Sequence, residues 1–171
     1  MNRIVSITPD NFDLEALSAL LIDAVASGAS IGFIAPLAKA EADAYWREVC
    51  RSLNPNTFIL LGYYEQGELV GSVQLDCSTK DNGRHRAEVQ KLFVLQSHRG
   101  KGIGAALMAA IEAKAKELNR WLLFLDTRLG DDAERLYTRV GYTRVGVIPD
   151  FAANSSGGYS ATVFFYKHLN N

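Results

Sequence analysis

The sequence predicts a single α/β domain built on a mixed, mostly antiparallel sheet, with one parallel strand–helix–strand pair and helices on both faces. Three observations support this prediction. The chain has 171 residues, of which 48% are hydrophobic, and this suits one domain with a sizeable core. Short apolar segments separated by polar turns fill its middle. A glycine-containing loop then opens an alanine-rich helix that leads to another apolar strand.

The first third of the chain predicts one strand and two helices. "RIVSIT" (3–8) is expected to form the first strand, after which Thr8 caps and Pro9 opens the first helix. The apolar stripe of that helix has helical spacing and comprises Leu14, Leu17, Leu21 and Val25. "SGASIGFIAPL" interrupts the pattern with two glycines and a proline, which predicts a loop. The second helix carries a similar stripe, made of Ala42, Trp46, Val49 and Leu53.

Three strands are predicted next, arranged as an antiparallel meander that ends at Leu95. They are "TFILLGYY", "LVGSVQLDCS" and "AEVQKLFVL", separated by the turns "EQGE" and "TKDNGRHR". The continuous apolar run of the first of these strands is typical of a central strand.

The segment "HRGKGIGAALMAAIEAKAKELN" (98–119) supplies the loop and helix of the parallel pair. An exposed Glu112–Lys116 pair is expected on its solvent side. The buried stripe of this helix is predicted to be Ile103, Leu107, Ile111 and Leu118. "WLLFLDT" then forms a short apolar strand parallel to the one before the loop.

The end of the chain predicts a short helix and a hairpin. Asp131 and Glu134 resemble a capping box at the helix start, and Gly141 suits the position after its end. The residues expected to face inward are Ala133, Leu136 and Val140. The hairpin strands are "YTRVGVI" and "SATVFFYKHL", joined by a predicted loop "PDFAANSSGG".

Composition excludes several classes of protein. A net charge of −1 argues against non-specific nucleic-acid binding. The N-terminal residues lack the apolar core of a signal peptide, and no run suits a membrane span, so a cytoplasmic protein is expected. Cys50 and Cys77 are expected to be buried thiols, and the three scattered histidines predict no metal site. A homodimer is compatible with the sequence, which does not fix the oligomeric state.

The glycines at 100, 102 and 104 predict an anion-binding loop, because bare backbone N–H groups at a helix start approach phosphates closely. A P-loop is excluded, because Lys101 is followed by Gly102 instead of Ser or Thr. A dinucleotide site matches Gly100, Gly102 and Ala105, with Asp126 as the ribose-binding acid. That interpretation needs further strand–helix–strand units, and only one fits this sequence.

The stretch 88–104, "EVQKLFVLQSHRGKGIG", resembles the acetyl-CoA-binding motif of the GNAT family of N-acetyltransferases. The family pattern, Gln or Arg, two residues, Gly, one residue, Gly or Ala, is met by Arg99, Gly102 and Gly104. The order of elements and "AERLYTRVGYTRVG" also match, so the resemblance covers essentially the whole chain. Gly130 departs from it, because the family often has Asn there. Four segments, "GASIGFIAPL", "RAEVQKLFVL", "LDT" and "GYTRVGVIPDF", are similar to the tabtoxin-resistance acetyltransferases, which acetylate a toxic β-lactam amino acid.

The resemblance implies that acetyl-CoA is the cosubstrate, with no metal. The backbone of 100–105 would hold the pyrophosphate, helped by the helix dipole and by the charges of Arg99 and Lys101. The N–H of Phe93 or Val94 would donate to the thioester oxygen. The complete set of expected coenzyme contacts is Leu92, Phe93, Val94, Arg99, Gly100, Lys101, Gly102, Ile103, Gly104 and Ala105.

Acetyl transfer to an amine needs a base, because an alkylammonium of pKa ~10.4 has no lone pair with which to attack. Glu88, on the strand before the loop and on the same side as Gln90, is the first candidate, and Asp126 is the second. Each could instead be structural, Glu88 as a solvent-facing charge and Asp126 as a turn residue. The resemblance implies Tyr137 as the residue that protonates the leaving thiolate, with core packing as the alternative role.

The acceptor is expected to bind between the segments "SIGFIAP" (30–36) and "PDFAANSSGGY" (149–159), with Phe33, Asp150 and Tyr159 as contacts. The leading function is N-acetylation of a small primary amine, including an amino-acid-like toxin or antibiotic. Two alternatives stay open. One is acetylation of a protein amine, which would need an open groove. The other is a non-catalytic acyl-CoA-binding module.

Overall fold

A seven-stranded sheet runs through the computed structural model, which describes residues 2–169. The strands are β1 (Arg3–Ile7), β2 (Phe58–Glu65), β3 (Glu68–Cys77), β4 (Arg86–Val94), β5 (Leu122–Arg128), β6 (Thr143–Ala153) and β7 (Tyr159–His168). Their spatial order is β1-β2-β3-β4-β5-β7-β6. Every neighbouring pair is antiparallel except β4 and β5, which are parallel. The predicted fold class is therefore confirmed.

Four helices cover the two faces of the sheet: α1 (Leu14–Ala26), α2 (Lys39–Ser52), α3 (Ile103–Glu117) and α4 (Asp132–Arg139). α1 and α2 bury Leu60 of β2, whereas α3 and α4 bury its neighbours Ile59 and Leu61. Since successive strand residues point to opposite faces, the two helix pairs lie on opposite sides of the sheet. Trp46 of α2 is fully buried. Within residues 2–169, none of the helices is long and apolar enough to cross a membrane.

β4 and β5 diverge towards their carboxyl ends. They pair only from Arg86 with Leu122 to Glu88 with Phe124, although both strands continue further. β4 also has a register irregularity against β3, and Lys91 there adopts a left-handed φ of 52°. Because paired strands lie about 5 Å apart, the loss of pairing opens a gap in the sheet, and this gap is where the clefts described below are found.

The first helix begins later than the sequence predicts. Thr8 and Pro9 start a short 3₁₀ turn that ends at Asn11, and α1 starts only at Leu14. The side chain of Asp13 caps α1 by accepting a hydrogen bond of 3.0 Å from the N–H of Ala16. An aspartate at the N-cap accounts for the later start, because it satisfies a donor that would otherwise lack a partner.

Two predicted side-chain pairs do not form. Glu112 is half-buried and binds Lys167 of β7 at 2.7 Å, so it does not pair with Lys116. Asp131 is the N-cap of α4, but its carboxylate binds Arg128, and Glu134 accepts from the N–H of Gly130 at 2.5 Å. The capping box is therefore absent, since both of its side chains have nearer partners.

The last hairpin is longer than predicted. β6 extends to Ala153 through a register irregularity between Ile148 and Ala152, and the connection to β7 is only 154–158. The predicted loop "PDFAANSSGG" is therefore strand over its first half. Pro149 indicated a loop, but β6 is an edge strand. Proline is tolerated in an edge strand, because its missing N–H would face solvent.

Candidate active site

The first of three neighbouring clefts, here called the loop–helix cleft, lies between the carboxyl end of β4 and the first turns of α3 and α4. It has a volume of about 500 Å³, which suits a sizeable ligand. Nine of the ten residues predicted to contact a coenzyme line it: Leu92, Phe93, Val94, Arg99, Gly100, Gly102, Ile103, Gly104 and Ala105.

The start of α3 leaves backbone donors without partners inside the helix. The first intrahelical bond runs from the N–H of Ala106 to the carbonyl of Gly102, and no side chain within residues 2–169 caps the helix. Gly100 and Gly102 have φ of 77° and 82°, and a Cβ added to either would meet no protein atom within 4 Å. This arrangement fits an anionic ligand, because the open backbone and the positive end of the helix dipole both face the space beside the loop.

Gly104 has a different role from Gly100 and Gly102. A Cβ at Gly104 would lie 3.1 Å from Cδ2 of Leu136, so this glycine lets α3 approach α4 closely. It still lines the loop–helix cleft. The third glycine of the predicted motif therefore serves helix packing as well as the site.

The two predicted loop cations are placed differently. The Arg99 guanidinium lines the loop–helix cleft and donates to the Val94 carbonyl at 3.1 Å and to Ser27 Oγ at 2.7 Å. Lys101 is exposed, as Arg99 is, but its Nζ lies 3.8 Å from Glu65 Oε2 and it does not line that cleft. Arg99 is thus the better placed of the two to add charge beside the glycine loop.

A second cleft, here called the acid cleft, contains both candidate bases. It has a volume of about 290 Å³ and extends from the gap between β4 and β5, so Glu88 and Asp126 line it together with Lys91. Glu88 accepts a hydrogen bond of 2.9 Å from Gln90 Nε2, which agrees with the prediction that the two side chains lie on the same side of the strand. Asp126 Oδ2 lies 2.6 Å from the hydroxyl of Thr162.

Burial raises the pKa of Glu88 above its ordinary value of 4.5, and the negative charges of Asp126 and Asp76 raise it further. The hydrogen bond from Gln90 and the charge of Lys91 act in the opposite direction. A raised pKa makes a carboxylate a stronger base, which is the property that proton removal from an amine requires.

Tyr137 is one of five residues that line both the loop–helix cleft and the acid cleft. It is only 7% exposed and is the one fully buried residue of α4, packed against Tyr142 and Phe165. The predicted stripe of Ala133, Leu136 and Val140 is half-buried and packs against the same core, so its inward orientation is confirmed. Burial, with Asp126 and Asp131 nearby, raises the pKa of Tyr137, which keeps its hydroxyl protonated at neutral pH.

The third cleft, here called the hairpin cleft, lies between the segment that follows α1 and the β6–β7 hairpin. It has a volume of about 250 Å³ and is lined by Phe33 together with 152–155 and Ser160. It adjoins both other clefts, because all three share Ala29. Within residues 2–169, the linings of the three clefts do not include Asp150 or Tyr159, and both side chains are exposed to solvent.

The sequence analysis missed two cations at the clefts. Lys91 reaches across to the segment after α1, where Nζ donates to the Ile31 carbonyl at 2.5 Å. Arg128 lines the hairpin and loop–helix clefts and is bound to Asp131 at 2.7 Å. The alternating polar residues of "AEVQKL" were the available signal for Lys91, but the irregularity of β4 that turns it towards Ile31 is not evident from the pattern.

Comparisons with known proteins identify the family of this chain. The model of the acetyltransferase (GNAT) family matches residues 23–142. An N-acetyltransferase encoded in the hisH–hisA intergenic region of Azospirillum brasilense is 30% identical over 118 residues, which are 68% of this chain and 68% of that protein. The aminoalkylphosphonate N-acetyltransferase of Salmonella typhimurium is 35% identical over 92 residues, 53% of this chain and 59% of that protein.

A solved structure shares the whole architecture. The Salmonella typhimurium protein yncA, whose structure includes its cofactor acetyl-CoA, matches with a TM-score of 0.80 and 20% identity over 100% of this chain and 95% of that chain. At this identity the likeness shows the fold. The family model and the Azospirillum relative show more: the chain belongs to the acetyltransferase (GNAT) family and is an N-acetyltransferase.

Proposed function

We propose that this protein transfers the acetyl group of acetyl-CoA to a primary amine of a small molecule. One observation carries the proposal. A cleft lined by the open N-terminus of α3 adjoins a second cleft that holds Glu88 and Asp126, and Tyr137 is among the residues that line both. A coenzyme site and an acid–base site would thus share a boundary that includes Tyr137.

The loop–helix cleft supplies what coenzyme A needs. The backbone of 100–105 and the Arg99 guanidinium would hold the pyrophosphate, because uncapped N–H groups and positive charge stabilise phosphates. Phe93 and Val94 bring the end of β4 to the same cleft, where one of their N–H groups would donate to the thioester oxygen. Acetyl-CoA, when bound, supplies an activated acetyl group on sulfur.

The acid cleft supplies the base. We propose that Glu88 removes the proton of the amine, since its raised pKa and its position beside Asp126 suit that role. Asp126 attracts the ammonium form of the acceptor. Tyr137 donates a proton or a hydrogen bond to the leaving thiolate, because it borders the loop–helix cleft and stays protonated.

The acceptor is proposed to be a small molecule. The acid cleft is bordered on one side by residues 29–31, which follow α1, and its volume of about 290 Å³ suits a small ligand. The Salmonella relative named above acts, by its name, on aminoalkylphosphonates, which are small amines. The similarity of four segments to tabtoxin-resistance acetyltransferases further motivates β-lactam amino acids as acceptors. Phe33 is retained as a proposed acceptor contact.

Two measurements test this function. Acetyl-CoA should raise the melting temperature, whereas NADH and ATP should not. At 100 times its dissociation constant, acetyl-CoA should increase the free energy of unfolding by about 2.7 kcal/mol through mass action. Thiol release from acetyl-CoA should then depend on the added amine across a panel of amino acids, β-lactam amino acids, aminoalkylphosphonates and lysine peptides. Stabilisation by NADH alone would contradict the proposal. Release with lysine peptides alone would favour a protein acceptor, and acetyl-CoA binding without release would favour a binding module.

A further inference from the structure

Lys91 stands out among the cations at the three clefts. Arg128 is neutralised by Asp131, with guanidinium–carboxylate distances of 2.7 and 3.0 Å. Arg99 lines the loop–helix cleft. Lys91 is the cation that lines the acid cleft, and no carboxylate of the described chain lies within 4.0 Å of its Nζ.

The backbone aims Lys91 into the acid cleft. Its φ of 52° lies in the left-handed region, which is unusual for a lysine and occurs at the irregularity of β4. Nζ gives one hydrogen bond, to the Ile31 carbonyl at 2.5 Å. An ammonium has three donors, so two remain for a ligand in the cleft.

Retaining a charged lysine there has a cost. Burial lowers the pKa of Lys91, while the nearby charges of Asp126 and Glu88 raise it. A half-buried ammonium held by a single carbonyl is poorly compensated, and a buried charge without an ion partner is destabilising. An anionic ligand would supply the missing partner.

The acid cleft therefore has both signs of charge: the ammonium of Lys91 and three carboxylates, of which Asp131 is paired with Arg128, whereas Glu88 and Asp126 have no ion pair within residues 2–169. We propose that Lys91 is the acceptor-binding residue that recognises an anionic group, and that the acceptor is an amino acid, whose carboxylate binds Lys91 while its ammonium faces Glu88 and Asp126. This inference rests on the proposed function and narrows its substrate class.

The competing role for Lys91 is purely structural, namely holding the segment after α1 through Ile31. Two substitutions separate the roles. Lys91→Gln keeps a side-chain donor for the Ile31 carbonyl and removes the charge, whereas Lys91→Met removes both. Lys116→Met, on the exposed side of α3, removes one lysine charge away from the clefts and serves as the control. Circular dichroism spectra establish that each variant is folded.

The test compares kcat/KM for amino acids with that for their amides, using glycine, β-alanine and γ-aminobutyrate as probes. The amide keeps the amine and loses the anion. The parent protein should prefer the best of these acids to its amide by at least about tenfold, the contribution expected of one hydrogen bond between charged groups. Lys91→Gln and Lys91→Met should both lose this preference, and Lys116→Met should keep it.

The inference is overturned if the parent prefers the amide, or if Lys91→Gln retains the preference for the acid. Equal losses on acid and amide would also overturn it, because they assign Lys91 a structural role. If the parent acetylates none of the probes, calorimetry with the coenzyme A complex decides. If the parent protein binds the acid and Lys91→Gln binds it at least tenfold more weakly, the inference is upheld while the proposed function fails. No such binding would overturn the inference as well.

Discussion

The hydroxyl of Thr162 lies 2.6 Å from Oδ2 of Asp126 and 2.8 Å from the carbonyl oxygen of Thr127. Within residues 2–169, Asp126 and Glu88 thus each accept one side-chain hydrogen bond, Asp126 from Thr162 and Glu88 from the Gln90 amide. A base must keep a lone pair available for the incoming proton. Burial raises the pKa of Glu88, so Glu88 is the proposed base and Asp126 is the proposed attracting charge.

Substitution of the two carboxylates should separate these roles. Glu88→Gln should lower kcat by about 10² to 10⁴-fold, because the amide cannot accept the amine proton. Asp126→Asn should act mainly on the KM of the acceptor, because it removes an attractive charge. Steady-state kinetics on both variants check this, with the exposed Glu68→Gln as a control. Full activity in Glu88→Gln would remove Glu88 from the mechanism.

Glu88 should also lower stability at neutral pH. Its pKa in the folded protein is raised above the ordinary value of 4.5, so the folded state disfavours the charged form. Below about pH 4.5 Glu88 is protonated in both the folded and the unfolded states and does not lower the free energy of unfolding. As the pH rises from there through the folded pKa, the free energy of unfolding decreases. The neutral variant Glu88→Gln should therefore melt higher than the parent at pH 7, with a smaller difference at pH 4. Thermal melts check this, and a parent protein that melts higher at pH 7 would contradict it.

Tyr137→Phe should lower kcat by roughly 10- to 100-fold and leave acetyl-CoA affinity intact. The coenzyme thiol resembles cysteine, with a pKa ~8.5, so its thiolate leaves tolerably without an acid and the effect is at the weak end of acid catalysis. Tyr142→Phe is the matched control. Its ring centroid lies 6.0 Å from that of Tyr137, and its side chain is likewise buried. Equal kcat for Tyr137→Phe and the parent would make Tyr137 a packing residue.

Gly102→Val should abolish acetyl-CoA binding in a protein that still folds. The substitution adds a branched side chain beside the open backbone of α3 and strains a φ of 82°. Gly157→Val introduces similar strain, at a φ of 87°, in the last hairpin outside the loop–helix cleft. Calorimetric titration with acetyl-CoA should distinguish the two. If both variants bind equally well, the loop does not hold the pyrophosphate.

The elements with strong local signals could be predicted from the sequence. Periodic apolar residues gave α1, α2 and α3, and polar turns gave the meander, because these patterns report directly on a buried face. The glycine loop could also be predicted, since Gly100 and Gly102 need a left-handed φ that other residues rarely adopt.

Features that depend on non-local contacts could not be predicted. Glu112 pairs with Lys167, which is 55 residues away, and Lys91 contacts Ile31, 60 residues away. The insertion of β7 between β5 and β6 likewise depends on tertiary packing. Asp150 and Tyr159 were expected at the acceptor site from their position in a predicted loop. Because β6 continues through the first half of that loop and β7 begins at Tyr159, both residues lie on strands of the hairpin, and both are exposed.

The most direct test of the central claim follows the acetyl group itself. The protein is incubated with acetyl-labelled acetyl-CoA and the best amine of the panel, and the label and the free thiol are counted in the same sample. The account predicts one labelled N-acetyl product for each thiol released, and loss of both in Glu88→Gln. Label recovered as free acetate, or retained on the coenzyme whichever amine is added, would contradict it.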